Sequence, residues 1–236
     1  MLKTILTLLA FTGSIMLLAQ AATFFDESSV TMVGFSGKQV FIRRAKKVNG
    51  VLYIAGHSNG AIGTSAVGGM DMFIRKYPSG SYRSTPSWTK MFGTSGADYL
   101  GGFTVDSAGN VYAVGQCFGT VNSILTKGSG DACVFKLSSA GAVQCSNQLG
   151  GTGADLFSGV EVDEARGYFY AVGNSSSTSF DEKTIQSKAG GIWSRFSTST
   201  CAKAGNSYVQ DMGFSSIRTA WFSFGGVVVL PTVRHR

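Results

Sequence analysis

The chain contains 236 residues, and its 20 Lys and Arg against 13 Asp and Glu give a formal net charge of +7. Its 32 glycines and its charged fraction of 14% are typical of an all-β domain with many turns, and they argue against long surface helices. A chain of this length supplies one sizeable hydrophobic core, so we expect one repeat domain rather than two domains.

The first 21 residues have the layout of a secretory signal peptide. Lys3 supplies a positive start, residues 5–18 form a largely apolar run, and residues 19–21 (AQA) form a small-x-small cleavage site. The alternative is an uncleaved membrane anchor, which the short and interrupted apolar run disfavours. We therefore expect cleavage before Ala22 and a secreted or cell-surface protein with no membrane span after that cleavage.

A cluster of positive charge follows in Arg43, Arg44, Lys46 and Lys47. Two interpretations are open. In the first, the cluster binds an acidic polysaccharide or another anionic surface. In the second, which is simpler, the cluster belongs to an edge strand whose charges prevent aggregation. Nucleic-acid binding is not expected, because an exported protein does not meet that partner and the basic residues are not spread along one groove.

The chain repeats itself every 57 to 60 residues. Residues 93–115 (GTSGADYLGGFTVDSAGNVYAVG) and 151–173 (GTGADLFSGVEVDEARGYFYAVG) share their glycines, two aspartates and their apolar alternation. Four strands separated by Gly, Ser and Asn turns are predicted in the middle repeat, at Tyr99–Val105, Val111–Gln116, Ala132–Leu137 and Val143–Leu149. Such a meander of four antiparallel strands is typical of a propeller blade.

The predicted fold is therefore an all-β, β-propeller-like array of four-stranded antiparallel blades with few helices. The expected ranges are about 38–92, 93–150 and 151–211 for three blades, 212–230 for a partial fourth blade, and 231–236 for a tail. A strand-like piece at residues 28–35 precedes the first blade. Either this piece and the partial blade close a ring of about four blades, or the array is a truncated part of a longer propeller.

The four cysteines allow three complete disulfide pairings, and their presence agrees with export. If the second and third strands of the middle blade are antiparallel, Cys117 faces Cys133. Cys145 and Cys201 then join blades or stay free. The two histidines, His57 and His235, are far from any cysteine cluster, so no metal site and no cofactor are expected.

The strings SGADYLGGFTVDSAGNVYAVG and GSGDACVFKLSSAGAV resemble the SBBP-type beta-propeller repeat, whose consensus contains G-N-V-Y-V-x-G and D-A-F-V-x-K-L. The likeness is close in the middle repeat and weaker over most of residues 38–230. It implies an extracellular or cell-surface propeller whose family members mostly lack an assigned catalytic activity. The chain departs from the pattern at Lys47, where later repeats carry Asp106 and Asp163, and at Gly190, where earlier repeats carry an aspartate.

Repeated aspartates are the candidates for catalysis. Asp98 with Asp155, and Asp106 with Asp163, recur at fixed positions beside Gly or Ser, where a carboxylate commonly accepts backbone N–H bonds in a turn. We therefore assign them structural roles and name no catalytic residue. The alternative is a secreted glycoside hydrolase or other polysaccharide-acting enzyme, which requires two unlike carboxyl environments in one cleft.

The positions after the predicted second strands are the best candidates for ligand binding. His57, Gln116 and Asn174 each follow a glycine there. In a ring we expect them to converge on one face, which the long loops that follow them also occupy. The alternative is that they bond neighbouring turns. Asn174 also begins the glycosylation acceptor sequence Asn-Ser-Ser.

Aromatic residues in or beside the predicted strands are expected to be buried between blades. They are Trp88, Trp193, Trp221, Phe73, Phe103 and Phe135. The long loops contain no tryptophan, which argues against a lectin. The predicted function is a secreted binding or adhesion scaffold for an extracellular protein or carbohydrate, and a partial propeller without independent activity is a further alternative.

Overall fold

The computed structural model describes residues 38–80, 85–185 and 190–211. Within these ranges the first sheet contains β1 (Val40–Val48), β2 (Val51–Ser58), β3 (Asp71–Lys76) and β4 (Trp88–Phe92). The second sheet contains β5 (Asp98–Val105), β6 (Val111–Cys117), β7 (Asp131–Leu137) and β8 (Val143–Leu149). The predicted signal peptide, the strand-like piece at 28–35, the partial fourth blade at 212–230, the tail, His235 and Trp221 lie outside the described residues.

The third sheet begins with β9 (Asp155–Asp163) and β10 (Tyr168–Ser175). A two-stranded ribbon, β11 (Ser179–Phe180) and β12 (Lys183–Thr184), comes before β13 (Gly190–Ser197) and β14 (Tyr208–Asp211), which complete the sheet. All neighbouring strands in the three sheets are antiparallel. The prediction of an all-β chain with four-stranded antiparallel sheets is confirmed. The described residues do not form a closed ring of sheets.

The strands of the middle repeat agree with the sequence to within one residue at each end, because the turns between them have strong local signals. Asp106 accepts hydrogen bonds from the backbone N–H and the side-chain amide of Asn110 at 2.7 and 2.8 Å, and Gly109 takes a φ of 83°. The equivalent Asp163 caps the short 3-10 helix Glu164–Arg166 by accepting from the Arg166 N–H at 3.2 Å. Both aspartates therefore stabilise the turn between the first two strands of a sheet.

The same β-bulge interrupts the pairing of the first and second strands in every sheet. The extra residues are Arg43, Gly101 and Ser158. The second strand carries a glycine opposite each bulge, at Gly56, Gly115 and Gly173. A Cβ atom at these glycines would lie 1.8, 2.0 and 1.8 Å from the carbonyl oxygens of Phe41, Tyr99 and Leu156. The repeated glycine is therefore required by the close approach of the bulged strand.

The pairing also corrects one sequence alignment. Lys46 pairs with Tyr53 as Thr104 pairs with Tyr112, so the following equivalent positions are Lys47 with Val105 and Val48 with Asp106. Lys47 therefore does not replace the repeated aspartate. The turn between the first two strands is one residue shorter in the first sheet than in the second, so counting back from the shared tyrosine assigns the wrong residue.

The sheets stack in chain order, and the first strand of each later sheet packs on the sheet before it. β5 packs on β1, β2 and β3, and β9 packs on β5, β6 and β7. One hydrophobic cluster joins Ile74 of the first sheet to Phe103 of the second, and another joins Val134 of the second to Phe157 of the third. Neighbouring sheets therefore bury each other's apolar faces.

The three predicted phenylalanines, Phe73, Phe103 and Phe135, are buried, with 3%, 8% and 5% of their surfaces exposed. Burial between sheets is confirmed for Phe103 and Phe135, which belong to the cluster shared by the first and second sheets, whereas Phe73 packs with Ile62 and Met91 of its own repeat. Trp88 is partly buried against the first cluster. The expectation is wrong for Trp193, which is 36% exposed. In β13 the flanking residues Ile192 and Ser194 are buried, so Trp193 points to the opposite face of the sheet, which no described sheet covers.

Two disulfides are present. Cys117–Cys133 joins β6 to β7 within the second sheet, with a Cα–Cα distance of 5.9 Å. Cys145–Cys201 joins β8 of the second sheet to the segment after β13 of the third, with a Cα–Cα distance of 5.6 Å. Disulfides of this kind are typical of an oxidising, extracellular environment. Across the described ranges, no helix has the length and apolar character needed to span a bilayer.

Candidate functional site

His57, Gln116 and Asn174 occupy equivalent positions, each being the penultimate residue of the second strand of its sheet. Their pairing partners on the first strands are Phe41, Tyr99 and Leu156. Paired residues of antiparallel strands lie on the same side of a sheet. Three such side-chain pairs therefore lie at the same end of the three sheets, next to the long loops.

His57 is enclosed between the first and second sheets, with 1% of its surface exposed. Its ring centroid lies 5.2 Å from that of Phe41 and 5.2 Å from that of Tyr99. Its Nδ1 accepts a hydrogen bond from the Leu100 N–H at 3.3 Å. Burial, and then the positive charge of Arg43, lower the pKa of His57 to about 4. The imidazole is therefore a neutral acceptor that joins two sheets, and it is not placed to exchange a proton with an outside molecule.

Gln116 and Asn174 have different surroundings. The half-buried Gln116 donates from Nε2 to the carbonyl oxygens of Ser129 and Gly130 at 3.5 and 3.3 Å, which fixes the end of the β6–β7 loop. Asn174 is exposed near the end of β10. The structure thus places the three candidates at equivalent positions without gathering them into one pocket, and their shared role in binding stays a prediction.

A row of four aromatic rings crosses this end of the first and second sheets. We call Phe41, His57, Tyr99 and Phe118 the aromatic row. Its successive ring centroids are separated by 5.2, 5.2 and 5.8 Å. The two ends of the row reach the surface, since Phe41 is 39% exposed and Phe118 is 42% exposed. The row therefore presents two partly exposed rings supported by two inner rings, a surface suited to binding rather than to covalent chemistry.

Phe118 is positioned by a buried carboxylate. Its N–H donates to the carbonyl oxygen of Ala97 at 3.1 Å and to Oδ1 of Asp98 at 3.4 Å. Asp98, which is fully buried, also accepts from the N–H and the hydroxyl of Thr94. Burial raises the pKa of Asp98, and these hydrogen bonds oppose that rise. Asp98 therefore ties the turn before β5 to the start of the loop that carries Phe118.

The other strand-start aspartates have similar anchoring roles. Asp71 accepts from the Val67 N–H at 2.9 Å, and Asp131 accepts from the Lys127 N–H at 3.0 Å. Asp155 accepts from the Gly151 N–H at 2.8 Å and from the hydroxyls of Ser175 and Ser177, and burial raises its pKa. Together with Asp98, these residues are at most 1% exposed, so they do not face a cleft.

No group of three or more His, Cys, Asp or Glu side chains is placed to hold a metal ion in the described ranges. The strand-start aspartates of neighbouring sheets lie near each other in two pairs, because Asp71 adds to the pKa rise that burial causes at Asp98, and Asp131 adds to the rise at Asp155. Their hydrogen bonds stabilise the loop ends of the sheets, which positions the aromatic row.

The basic cluster lies on β1, an edge strand of the first sheet. Lys46 is directed to the neighbouring sheets, where its Nζ lies 2.7 Å from Oγ1 of Thr104 and 4.0 Å from Oε2 of Glu161. These three residues occupy equivalent positions in β1, β5 and β9. Arg43 instead lies next to the aromatic row, with its guanidinium carbon 6.0 Å from the centroid of Phe41.

Sequence reasoning found His57 but missed its row partners Phe41, Tyr99 and Phe118. A signal was available for two of them. In a hairpin whose turn is known, the residue opposite the end of the second strand is found by counting back along the first strand. Phe118 offered no such signal, because its contact with Tyr99 depends on the path of a long loop.

No protein-family model matches the chain, and no curated protein is similar to it at a significant level. The candidate site is therefore supported by the geometry of its own residues.

Proposed function

We propose that this chain is a secreted β-propeller-like repeat protein that acts as a ligand-binding or adhesion scaffold, with the aromatic row as its contact surface. The observation that carries the proposal is the row itself. Two partly exposed phenylalanines, Phe41 on β1 and Phe118 directly after β6, flank two inner rings at the loop end of the sheets. Ligand sites commonly form where loops meet on a rigid scaffold.

The propeller arrangement is supported by the way in which the first strands come together. Side chains at one equivalent position of β1, β5 and β9 are in contact, since Oγ1 of Thr104 lies 2.7 Å from Nζ of Lys46 and donates to Oε1 of Glu161 at 3.3 Å. First strands that converge on a common line are a property of propellers. The resemblance to SBBP-type repeats supports the same arrangement.

Secretion is supported by two independent features. The sequence has the layout of a signal peptide at residues 1–21. The described cysteines are all paired, and one of the disulfides connects two sheets. Asn174, exposed in the acceptor sequence Asn-Ser-Ser, would carry a glycan if the protein passes through a compartment that adds one.

A second candidate, a partial propeller that needs a further sheet, is favoured by one observation. Trp193 and Tyr208 stack at a centroid distance of 4.1 Å on the open face of the third sheet, and they are 36% and 55% exposed. The equivalent faces of the first two sheets are covered by the next first strand. We infer that residues 212–230, or a longer chain, supply a fourth blade there. No comparable observation favours the hydrolase alternative.

The proposed contact surface is tested by truncating one exposed ring. The secreted full chain is passed over immobilised dextran, dextran sulfate, polygalacturonate, collagen and fibronectin, and surface plasmon resonance measures its affinity for each. We expect Phe118→Ala to weaken binding to at least one of these probes by about tenfold, because an aromatic anchor is lost.

Leu125→Ala is the matched control, because Leu125 lies in the same loop and is 72% exposed. It should change the affinity by less than about twofold, a difference below 0.5 kcal/mol. Equal loss in both variants would place the contact elsewhere on the loop, and absence of binding to every probe would count against a scaffold with this surface.

A further inference from the structure

We infer that the aromatic row binds an anionic polysaccharide, with Arg43 and Arg44 receiving its carboxylate or sulfate groups. This inference rests on the proposed function, because it names the ligand class of the same surface. It starts from the repeated β-bulge. Arg43 is the extra residue of the bulge in the first sheet, and Arg44 follows it.

The bulge of the second sheet shows that packing does not require arginine at the bulge position of this repeated fold. In the second sheet the equivalent pair is Gly101 and Gly102. A Cβ at Gly101 would lie 2.1 Å from the carbonyl oxygen of Phe157, and a Cβ at Gly102 would lie 2.8 Å from that of Ser158. The second sheet therefore needs small bulge residues for its contact with the third, whereas the first sheet carries two long cationic side chains.

Neither of these two cations has an acidic partner in the part of the chain that the structure describes. Among the described residues, the ion pairs involve Lys46, Arg166 and Lys203, and none involves Arg43 or Arg44. Arg44 donates from Nη1 to the carbonyl oxygen of Arg43 at 3.1 Å. The pKa of Arg44 is lowered by burial and by its repulsion from the positive charge of Arg43. A bound anion would relieve this repulsion.

Arginine is also suited in shape to carboxylates and sulfates. Its planar guanidinium donates two parallel hydrogen bonds to such groups, which a lysine does not do. Arg43 lies over the ring of Phe41, the exposed end of the aromatic row. A polysaccharide residue that packs its apolar side on Phe41 would thus bring its acidic substituent to the guanidinium.

Charge complementarity selects a polymer of this kind over a neutral glycan. The whole chain has a formal net charge of +7, and removal of the predicted signal peptide takes away only the one positive charge of Lys3, so the long-range field attracts polyanions. A charged edge strand that only prevents aggregation accounts for the exposure of Arg43, but it does not account for the adjacent row of rings. An anionic lipid surface is the competing ligand, and the experiment separates the two.

The test compares dextran sulfate with neutral dextran, and uses vesicles of phosphatidylserine and phosphatidylcholine as the lipid probe. Binding of the full chain is measured by isothermal titration calorimetry. We expect dextran sulfate to bind at least about tenfold more tightly than dextran, and Arg43→Gln to weaken that binding by about tenfold, the size of one lost charge-assisted pair.

Lys90→Gln is the matched control, since Lys90 lies in β4, the opposite edge strand of the same sheet. It removes the same charge and should change the affinity by less than about twofold. Equal weakening in both variants would mean that only the net charge matters, and would overturn the inference. Equal binding of dextran and dextran sulfate, or binding of the anionic vesicles alone, would overturn it as well.

The failure of this inference is distinguishable from the failure of the proposed function. If Phe118→Ala weakens binding to a neutral glycan or a matrix protein while Arg43→Gln has no effect, the proposed contact surface is supported and the anionic ligand is contradicted. If neither variant affects any binding, both the proposed contact surface and the anionic ligand are contradicted. Thermal unfolding of each variant confirms that the fold is kept, and a variant that unfolds early is replaced by Arg44→Gln.

Discussion

His57 links the chemistry of one residue to the stability of the contact between two sheets. Its neutral ring accepts the Leu100 N–H and lies between the rings of Phe41 and Tyr99. A protonated imidazole has no acceptor atom at Nδ1, so protonation breaks this hydrogen bond and adds a buried charge beside Arg43. Protonation of His57 in the folded chain is therefore unfavourable, in agreement with its pKa, which burial lowers to about 4.

The first prediction concerns pH. Because the pKa of His57 is lower in the folded chain than in the unfolded chain, the unfolded state binds more protons between the two values. The stabilising effect of neutral His57 is therefore complete above the unfolded pKa of about 6.5, and it is lost as pH falls towards 4. Between about pH 7 and pH 5 the loss should reach about 2 kcal/mol in the free energy of unfolding.

Urea unfolding of the wild type and of His57→Gln at both pH values measures this effect. Asp98 and Asp155 have raised pKa values and act in the opposite direction, but both proteins contain them. The difference between the two proteins therefore isolates His57. The same pH dependence in both would show that the histidine is not held neutral by its surroundings.

The position of His57 was predictable from the repeat, whereas its environment was not. The glycine before it and the strand end after it are local features of the sequence. The ring of Tyr99 that covers it comes from the next sheet, more than one strand hairpin away in the chain. Contact between residues so far apart depends on how the sheets stack.

At the scale of the element, the bulge is the feature that the three sheets share most closely. Each bulge has one extra residue on the first strand and a glycine on the second. The bulged strand approaches this glycine closely enough to exclude any side chain. A bulge changes the direction of the side chains on either side of it. In the first sheet, Phe41 forms one end of the aromatic row and Arg43 lies beside it.

The second prediction tests this close approach in the third sheet, away from the proposed ligand surface. Gly173→Ala places a Cβ 1.8 Å from the carbonyl oxygen of Leu156, so the strands must separate. We expect the free energy of unfolding to fall by about 3 kcal/mol, as for an overpacked interior. Chemical denaturation of the two proteins gives this value.

Gly69→Ala serves as the comparison for that substitution. Its Cβ would meet only the carbonyl oxygen of Gly96, at 3.9 Å, and its backbone does not require a left-handed conformation. Its stability should stay within about 1 kcal/mol of the wild type. If Gly173→Ala is as stable as this control, the bulge geometry is not rigid.

At the scale of the whole described molecule, the three sheets are held by apolar stacking, by Lys46 and its partners, and by one covalent link. The stacking buries two hydrophobic clusters, one at each junction. The Cys145–Cys201 disulfide spans the second junction, with a sequence separation of 56, whereas Cys117–Cys133 lies inside one sheet, with a sequence separation of 16. The first link therefore restrains the relation between sheets, and the second restrains a hairpin.

The third prediction concerns these two links. Removing Cys145–Cys201 with a pair of alanines should lower the free energy of unfolding by about 4 kcal/mol, against about 3 kcal/mol for Cys117–Cys133, because the longer loop gains more entropy on unfolding. Hydrogen exchange should also increase in β9, β10 and β13 after the first change only. Similar exchange patterns in the two variants would show that the inter-sheet link does not control sheet docking.

The sequence by itself determined the strands, the turns and the equivalence of the sheets. Alternating apolar residues set the strands, and residues such as Asp106 and Gly109 set the hairpin turn locally. Its four cysteines also limited the disulfides to three complete pairings, and the antiparallel order of β6 and β7 brings Cys117 near Cys133, as expected for such strands.

Only the tertiary structure decided which faces are covered and which side chains meet. Alternation assigns a residue to one side of a strand, but it does not say what lies over that side. Trp193 was expected to be buried and is exposed for this reason, while His57 is enclosed by a ring from the next sheet. The aromatic row is continuous only because two sheets stack, which places the ring of Tyr99 against that of His57 and joins the rings of the first sheet to those of the second.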